Sequence, residues 1–337
     1  MPLLSIVVPH RNDAKSLPRL LDSIAAQSFK DLEVVLVDDC SEESCLPVVE
    51  AYRANGLEIT FLPHQQRVYT LEARVQGTMA AKGEIITFAD ADDALWGETE
   101  LENNINLFLQ KQPDILHFRL AITDSQGNFV RWSPQSDDLA PELLGQDIFS
   151  RYAASPNFFA LSSLWNKIFS KRLFSSLAVD VSGTKIRSYA EDMYILAIAM
   201  AKAKKYVGSP HVGYGYAYNE PAKYSHAHER AAAYYHAMRE LPPRLEALGC
   251  PKNDIEQFVF ALVQQLCVSV GHMSLSAVQN DGMFIADKTI ETFLSTIDSR
   301  ILIKVLLLGN SLNAQKVLDT RAVILRTAGA GKKLFAV

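Results

Sequence analysis

Five acidic side chains stand in two short runs, Asp38-Asp39 and Asp90-Ala91-Asp92-Asp93. Carboxylates this close repel. Two charges 4 Å apart interact by about 1 kcal/mol in water and about 4 kcal/mol at an effective dielectric of 20. A hard divalent cation offsets that repulsion. Mg2+ or Mn2+ takes one or two protein carboxylates and completes its shell with phosphate oxygens. Asp90, Asp92 and Asp93 are therefore candidate metal ligands; the plainer alternative is an acidic loop in which Asp93 caps the next helix. A carboxylate such as Asp39 can accept a hydrogen bond from a base imide or a ribose hydroxyl, or cap a helix, as can Ser41. Pro9-His10-Arg11-Asn12 offers a backbone and a flat guanidinium that could frame a planar base. Arg74 is a lone cation suited to a nucleotide phosphate. Glu191-Asp192 could supply a base for a hydroxyl proton, or could simply be the acidic first turn of a helix.

The elements that must position these residues are legible from periodicity. Leu4 to Val8, Glu33 to Val37, Leu57 to Leu62 and Glu84 to Phe88 are short apolar, β-branched runs of the buried-strand type. Between them, Leu17, Leu20, Leu21 and Ile24 recur at helical spacing, with Ser16 placed to cap and Pro18 in the first turn. Leu46, Val49 and Tyr52 mark a second helix closed by Asn55-Gly56, Leu71, Val75 and Met79 a third, and Leu101, Ile105 and Phe108 a fourth. Strands separated by such helices run parallel, and ligands then bind beyond their carboxyl ends. Asp38 and Asp39 follow the second strand and Asp90, Asp92 and Asp93 the fourth. All five are expected on one rim.

Beyond Pro113 the pattern changes. Ile115 to Leu120 and Phe129 to Trp132 flank Asp124-Ser125-Gln126-Gly127-Asn128, a hairpin pattern. Ser133 to Pro141 reads as a polar loop and Trp165 to Phe169 as a short strand. Tyr189-Ala190-Glu191-Asp192 opens a helix whose inner face carries Ile195, Ile198 and Ala199. Tyr214, Tyr216 and Tyr218 alternate as in a half-buried strand, for which core packing is the expected role ahead of sugar stacking. From about His226 the chain reads as helical, with a stripe of Ile255, Phe258, Val259, Leu262, Val263 and Leu266 capped by Asp254, and another of Ile290, Phe293, Leu294 and Ile297. His226-x-His228 reads as a polar loop rather than a metal pair, and Gly329 to Lys333 is not a phosphate-binding loop.

Composition narrows the classes. With 33 Lys and Arg against 38 Asp and Glu, the net charge of −5 argues against a general nucleic-acid binder. Four scattered cysteines without a CxxC pair give neither a disulfide framework nor a zinc site, so a reducing compartment is expected. No run approaches the ~20 apolar residues of a membrane span. The longest, Ile301 to Leu308, contains Lys304. The chain is expected to be soluble or at most peripheral. A tail holding Arg321, Arg326, Lys332 and Lys333 could touch an anionic membrane, although a cationic helix end with a frayed tail is the favoured reading.

Taken in order, Ser5-Ile6-Val7-Val8-Pro9-His10-Arg11-Asn12, Leu21 to Gln27, Glu33 to Ser41, Ala80-Ala81-Lys82-Gly83-Glu84 leading to Asp90-Ala91-Asp92-Asp93, Trp165-Asn166-Lys167 and Glu191-Asp192 resemble the motifs of family-2 glycosyltransferases. The resemblance covers about the first 225 residues. It implies an α/β GT-A fold, Rossmann-like, with a mixed, mainly parallel sheet and flanking helices. Residues 1–225 would form the nucleotide-sugar-binding catalytic domain, and 226–337 a helical C-terminal region serving the acceptor site or an oligomer or membrane contact. It implies that Pro9, Arg11 and Asn12 lie along the nucleoside, that Asp39 reads the uracil imide, and that Arg74 sits near the nucleotide. Asp90 and Asp92 would form the metal and ribose-phosphate pair, with Asp92 the foremost direct ligand of Mn2+ or Mg2+. Asp192 would be the general base and Glu191 its acidic neighbour. The segment around Lys223-Tyr224-Ser225 would close over the diphosphate. Arg11 where the family usually has Tyr, Cys40 where it has Gly, and Val75 where Asn often follows Arg are departures.

The implied activity is inverting transfer from a UDP-sugar to a hydroxyl of a glycan or lipid-linked acceptor, in capsule or lipopolysaccharide synthesis, on the cytoplasmic side of a membrane. Homo-oligomers and peripheral membrane contact are among the partners weighed. A nucleotidyltransferase is disfavoured because Pro9 to Asn12 is not a Gly- and Arg-rich loop. A catalytically inactive scaffold homologue is the rival of a different class.

Overall fold

The computed structural model describes residues 1–133, 139–154, 162–218 and 227–271. The polar loop expected at 133–141 is described only at its ends. The 223–225 segment, His226, the stripe at 290–297 and the basic tail lie outside the described residues, as does much of the expected 226–337 region.

The chain alternates strand and helix as its periodicity dictates. Strands β1 (Leu4–His10), β2 (Leu32–Asp38), β3 (Ile59–Pro63) and β4 (Ile85–Phe88) are linked through helices α1 (Leu17–Ala25), α2 (Leu46–Ala54) and α3 (Tyr69–Ala80). β5 (Ala94–Leu95), α4 (Glu100–Lys111), β6 (Ile115–Thr123) and β7 (Phe129–Trp132) follow, then β8 (Glu142–Leu144) and α5 (Gln146–Ala153). β9 (Lys167–Ser170), α6 (Leu177–Asp180), α7 (Glu191–Lys202), β10 (Lys205–Ala217), α8 (Ala227–Ala247) and α9 (Lys252–Gly271) complete the described order.

The strands form one mixed sheet in the order β3-β2-β1-β4-β9-β6-β10-β5, with β7 on β6 and β8 on β10. β1 pairs in parallel with both β2 and β4, and β2 with β3. β9 inserts antiparallel between β4 and β6. Pro9 falls within β1 beyond its last pairing with β4, at Val7 opposite Phe88, so its missing N–H costs that ladder nothing.

Side chains of β1 and β2 divide by alternation, as period two requires. Ile6, Val8, Val34 and Leu36 pack with Leu17, Leu20, Val49, Leu101 and Ile105, on the face of α1, α2 and α4. Val7, Val35 and Val37 pack on the other face with Leu71, Val75, Phe149, Ile195, Tyr234 and Phe258. Burying such a side chain fully contributes roughly 1.5–3 kcal/mol, so both faces hold the central strands in register. The described part of the C-terminal helices shares this second core: Leu241, Leu245, Ile255, Phe258 and Leu262 are buried in it.

Four local expectations need correction. Ser16 stands at the start of α1 but its hydroxyl donates to the Asp13 carbonyl (3.1 Å), so it does not cap the helix. Met79 is exposed, because the buried face of α3 runs through Leu71, Arg74, Val75 and Thr78. Asp254 lies inside the first turn of α9 and accepts a hydrogen bond from Ser150 of α5. Asp93 caps no helix, since α4 begins at Glu100.

The Trp165-Asn166-Lys167 motif forms a buried polar chain. Lys167 Nζ donates to Asn166 Oδ1 (2.7 Å), Asn166 Nδ2 reaches His117 Nε2 (2.8 Å), and His117 Nδ1 meets Tyr206 Oη (2.9 Å). Because Nε2 must accept from the amide, the proton of His117 sits on Nδ1. Burial holds the pKa of both Lys167 and His117 well down.

Candidate active site

The loops that leave β1, β2 and β4 emerge side by side: Asp39 N–H donates to the His10 carbonyl (2.8 Å) and Ala89 N–H to that of Val7 (3.1 Å). Two loop residues adopt left-handed backbone, Asn12 (φ 58°) and Cys40 (φ 59°). A glycine meets that conformation at Cys40 without strain. Asn12 ties the two loops together: its N–H donates to Ser41 Oγ (2.9 Å) and its Oδ1 accepts from Glu42 N–H (2.9 Å). Asp38 turns back and accepts from Ser41 N–H (3.0 Å).

Asp39 is buried and faces the start of α3. Its carboxylate accepts from the backbone N–H groups of Val68 and Tyr69, and Arg67 Nε stands 3.8 Å from its Oδ2. It therefore caps a helix distant in sequence, satisfying donors that α3 cannot satisfy itself. Five residues along α3, ~7 Å at 1.5 Å per residue, stands Arg74. Its side chain is 3% exposed. Nη2 donates to Asp90 Oδ1 at 2.9 Å, Nη1 contacts Asp192 Oδ1, and Glu191 Oε1 lies 3.9 Å from Nη1. Arg74 thus joins the loop after β4 to the first turn of α7. Through α3, Asp39 at its start and the Asp90, Glu191 and Asp192 carboxylates around Arg74 are tied to one helix. Tyr189 (φ 58°) and Ala190 (φ 56°) enter α7 through left-handed backbone, strain of the kind that surrounding structure must enforce. Burial raises the Glu191 pKa, with the Arg74 charge opposing.

The three aspartates after β4 do not act as one cluster. Asp92 is exposed at the loop tip, where desolvation, then Asp90 and then Asp13 push its pKa to about 6. Asp93 is 1% exposed and faces β10: Oδ2 accepts from Tyr214 Oη (2.8 Å) and Oδ1 from Ala217 N–H (2.8 Å). As a metal ligand Asp93 must be corrected, because both oxygens are committed to the sheet. Tyr214 Oη also accepts from Asp90 N–H (3.0 Å), and the Tyr214 ring stacks on Trp165 (centroids 4.6 Å apart, 17°). Tyr216 stacks on Trp165 as well, while Tyr218 is exposed. Two of the alternating tyrosines thus pack beneath the acidic loop.

Among the described residues no three His, Cys, Asp or Glu side chains form a metal cage. Asp90 and Asp92, with Asp13 adding negative field, fit a cation that takes most of its ligands from a bound phosphate and water. Two contributors were not singled out in the sequence, Asp13 and Arg67, and the His10 side chain was given no role there. His10 is buried at the end of β1 and neither ring nitrogen has a hydrogen-bond partner among the described residues; its place directly after Pro9 was the available signal. Arg11 shows no stacking partner among the described rings.

A family model described as glycosyl transferase family 2 matches residues 5–182, more than half of the chain. The chain belongs to glycosyl transferase family 2. Within this family it is 29% identical over 180 residues to glycosyltransferase GlyG of Streptococcus pneumoniae, covering 52% of this chain and 59% of GlyG. It is 30% identical over 155 residues to the amylovoran biosynthesis glycosyltransferase AmsB of Erwinia amylovora, covering 44% and 51%. These matches span about half the length of either relative. In three dimensions the family-2 chain resembles residues 1–349 of Staphylococcus aureus TarS in complex with UDP, with a TM-score of 0.64 and 20% identity over 99% of this chain and 93% of that one. It also resembles a Pyrobaculum calidifontis mannosyltransferase in complex with GDP-Man and Mn2+, with a TM-score of 0.52 and 14% identity over 98% and 87%. Both likenesses concern the fold, which is GT-A. No helix among the described residues is long and apolar enough to cross a membrane.

Proposed function

We propose that the chain is an inverting, metal-dependent glycosyltransferase that moves a sugar from a UDP-sugar to a hydroxyl of a glycan or lipid-linked saccharide during assembly of a surface glycan. The observation that supports this reading is the Arg74 bridge, whose guanidinium contacts Asp90 with one nitrogen and Asp192 with the other. In-line displacement at an anomeric carbon needs leaving-group stabilisation on one side of the sugar and a base on the other. Arg74 supplies the spacing between the two.

In this reading Pro9, Arg11 and Asn12 line the nucleoside, and Asp39 offers its remaining lone pairs to the base. Asp90 and Asp92 hold Mn2+ or Mg2+, which when bound would neutralise charge on the departing diphosphate. Asp93 and Tyr214 hold the loop that carries those ligands. Asp192 keeps Oδ1 toward Arg74, leaving Oδ2 to take the proton of the acceptor hydroxyl. Glu191, behind it, keeps the first turn of α7 in place through Arg74. Support comes from the relatives' names, which include amylovoran biosynthesis and, for TarS, poly(ribitol-phosphate) N-acetylglucosaminyl transfer. A further TarS structure holds UDP-GlcNAc. The donor proposed here is of the same class, a hexose or N-acetylhexosamine on UDP.

Purified protein, Mn2+ and a panel of UDP-sugars test the reading through UDP release. Asp192→Asn should lower turnover by about 10²–10⁴-fold while UDP affinity stays within twofold. Absence of turnover with every donor would favour the scaffold reading.

A further inference from the structure

Three arginines from three separate elements gather beside the Glu191-Asp192 turn, and the reaction outlined above assigns them no task. Arg67 precedes α3, Arg187 precedes α7, and Arg230 lies on α8. The guanidinium carbons of Arg67 and Arg187 stand 4.5 and 4.8 Å from the centroid of the same ring, Tyr69. That of Arg230 stands 5.5 Å from the ring of Tyr189. Both tyrosines occupy left-handed backbone, Tyr69 at φ 67° and Tyr189 at φ 58°. For large side chains that conformation is an outlier which neighbouring contacts must enforce.

Here the contacts are visible. Leu71 N–H donates to the Arg187 carbonyl (2.8 Å), and the Thr70 and Ser188 hydroxyls meet at 3.1 Å. The two loops are thereby sewn together.

Counter-charge is short. Asp39, Glu191 and Glu229 border the group. Asp39 is occupied by the start of α3 with Arg67 at 3.8 Å, and Glu191 is shared, 3.9 Å from Arg74 Nη1 and within the field of Arg230. Glu229 acts on Tyr189, whose pKa is raised chiefly by burial and then by that charge. Among the described residues no carboxylate lies within ion-pair distance of Arg187 or Arg230. Arg187 is exposed and Arg230 half-buried. A guanidinium held over an aromatic ring keeps a fork of N–H donors suited to the paired oxygens of phosphate or carboxylate.

We propose that Arg187 and Arg230, with Arg67 holding the Tyr69 ring beside them, form a docking site for an anionic acceptor chain, a saccharide or polyol polymer bearing phosphate or carboxylate groups. This rests on the transferase reading for its assignment to the acceptor. Tyr189, which carries Arg230 over its ring, lies three residues before the proposed base Asp192. A charged chain seated on the arginines would bring a neighbouring hydroxyl to Asp192.

The test measures binding without donor or metal, using poly(glycerol phosphate), polygalacturonate and neutral dextran. The wild-type protein should bind at least one of the two polyanions, more weakly as salt rises, and dextran negligibly. The polyanion that binds identifies the group recognised. The double variant Arg187→Gln/Arg230→Gln should lose at least tenfold in that affinity. Arg187→Lys/Arg230→Lys should recover part of it, and both variants should bind UDP with Mn2+ as the wild type does. The idea is overturned if neither polyanion binds better than dextran, if the glutamine variant binds them unchanged, or if it loses UDP instead, which would give the arginines to the donor. UDP release from UDP-sugars is read separately. Polyanion binding without turnover would support the site and count against the transferase reading.

Discussion

Asp92 and Asp93 are neighbours in sequence and opposites in environment. Asp92 meets solvent at a loop tip among like charges, whereas Asp93 is buried with two hydrogen bonds from β10. Their substitutions should therefore fail differently. Asp92→Ala should raise the Mn2+ concentration needed for half-maximal donor binding at least tenfold, with the melting temperature within about 2 °C of the wild type. Asp93→Ala leaves the Ala217 N–H and the Tyr214 hydroxyl without a partner in the interior. Unsatisfied buried groups cost about 1–3 kcal/mol each, partly offset by removal of a desolvated carboxylate. Calorimetry should show a fall of several degrees. Equal melting temperatures for the two variants would contradict the assignment of Asp93 as an anchor. Spacing alone put all three aspartates in one class, because it reports which residues follow a strand but not the direction of each side chain in an irregular loop. Asp39 shows the same limit: the sequence placed it at a strand end, and only the return of the chain at Val68 and Tyr69 reveals which helix it caps.

At the scale of elements, α3 carries the geometry. Its first N–H groups sit on Asp39 and its Arg74 spans Asp90 and Asp192, so a small shift of this helix changes both contacts. Gly77 sets its distance from the sheet: a Cβ there would lie 2.5 Å from Val7 Cγ1 and 3.0 Å from Val37 Cγ2. Both valines are buried central-strand residues with little freedom to yield. Gly77→Ala should cost about 1–3 kcal/mol through overpacking, despite alanine's better helix propensity, and should lower kcat more than it weakens UDP binding. Urea melts and steady-state kinetics check both. Tyr214→Phe acts from the opposite side of the loop. It removes the hydroxyl that accepts from Asp90 N–H and donates to Asp93, and should raise the Mn2+ requirement without altering the stack on Trp165. The strands and the main helices were readable because alternation and 3.6-residue repeats follow from which face is buried. The inner face of α3 was misjudged at Met79 because this helix buries a charged residue, Arg74, and a glycine, neither of which registers as apolar.

At the scale of the whole molecule, the two cores on either side of the sheet meet different demands. One packs apolar helices, while the far half of the sheet encloses the Lys167–Asn166–His117–Tyr206 chain, whose motif the sequence displayed but whose purpose it did not. That chain has a consequence for pH. Asn166 donates to His117 Nε2, so protonating the ring would set two donors against each other in a site already holding Lys167. Burial and that lysine hold the folded pKa well below the ~6.5 of an unfolded histidine, so below pH 6.5 this residue binds its proton more readily in the unfolded chain than in the folded one. His117 therefore contributes stability that is fully present above pH 6.5 and is lost progressively as pH falls toward the folded pKa, at up to about 1.4 kcal/mol per pH unit. Raised carboxyl groups work in the other direction. The folded state favours protonated Asp92, Asp13 and Glu191, so these three gain stability on acidification. The net slope mixes both signs, and the difference between two proteins separates them. His117→Gln is expected to be less stable at pH 7, since it breaks the chain. Between pH 6.5 and 5, however, its stability should decline less steeply than that of the wild type, by close to one proton's worth of slope. Urea unfolding at closely spaced pH values gives this difference directly. Parallel pH profiles would mean that His117 takes up its proton as readily in the folded state as in the unfolded one, and that the buried chain tolerates a charge its geometry forbids.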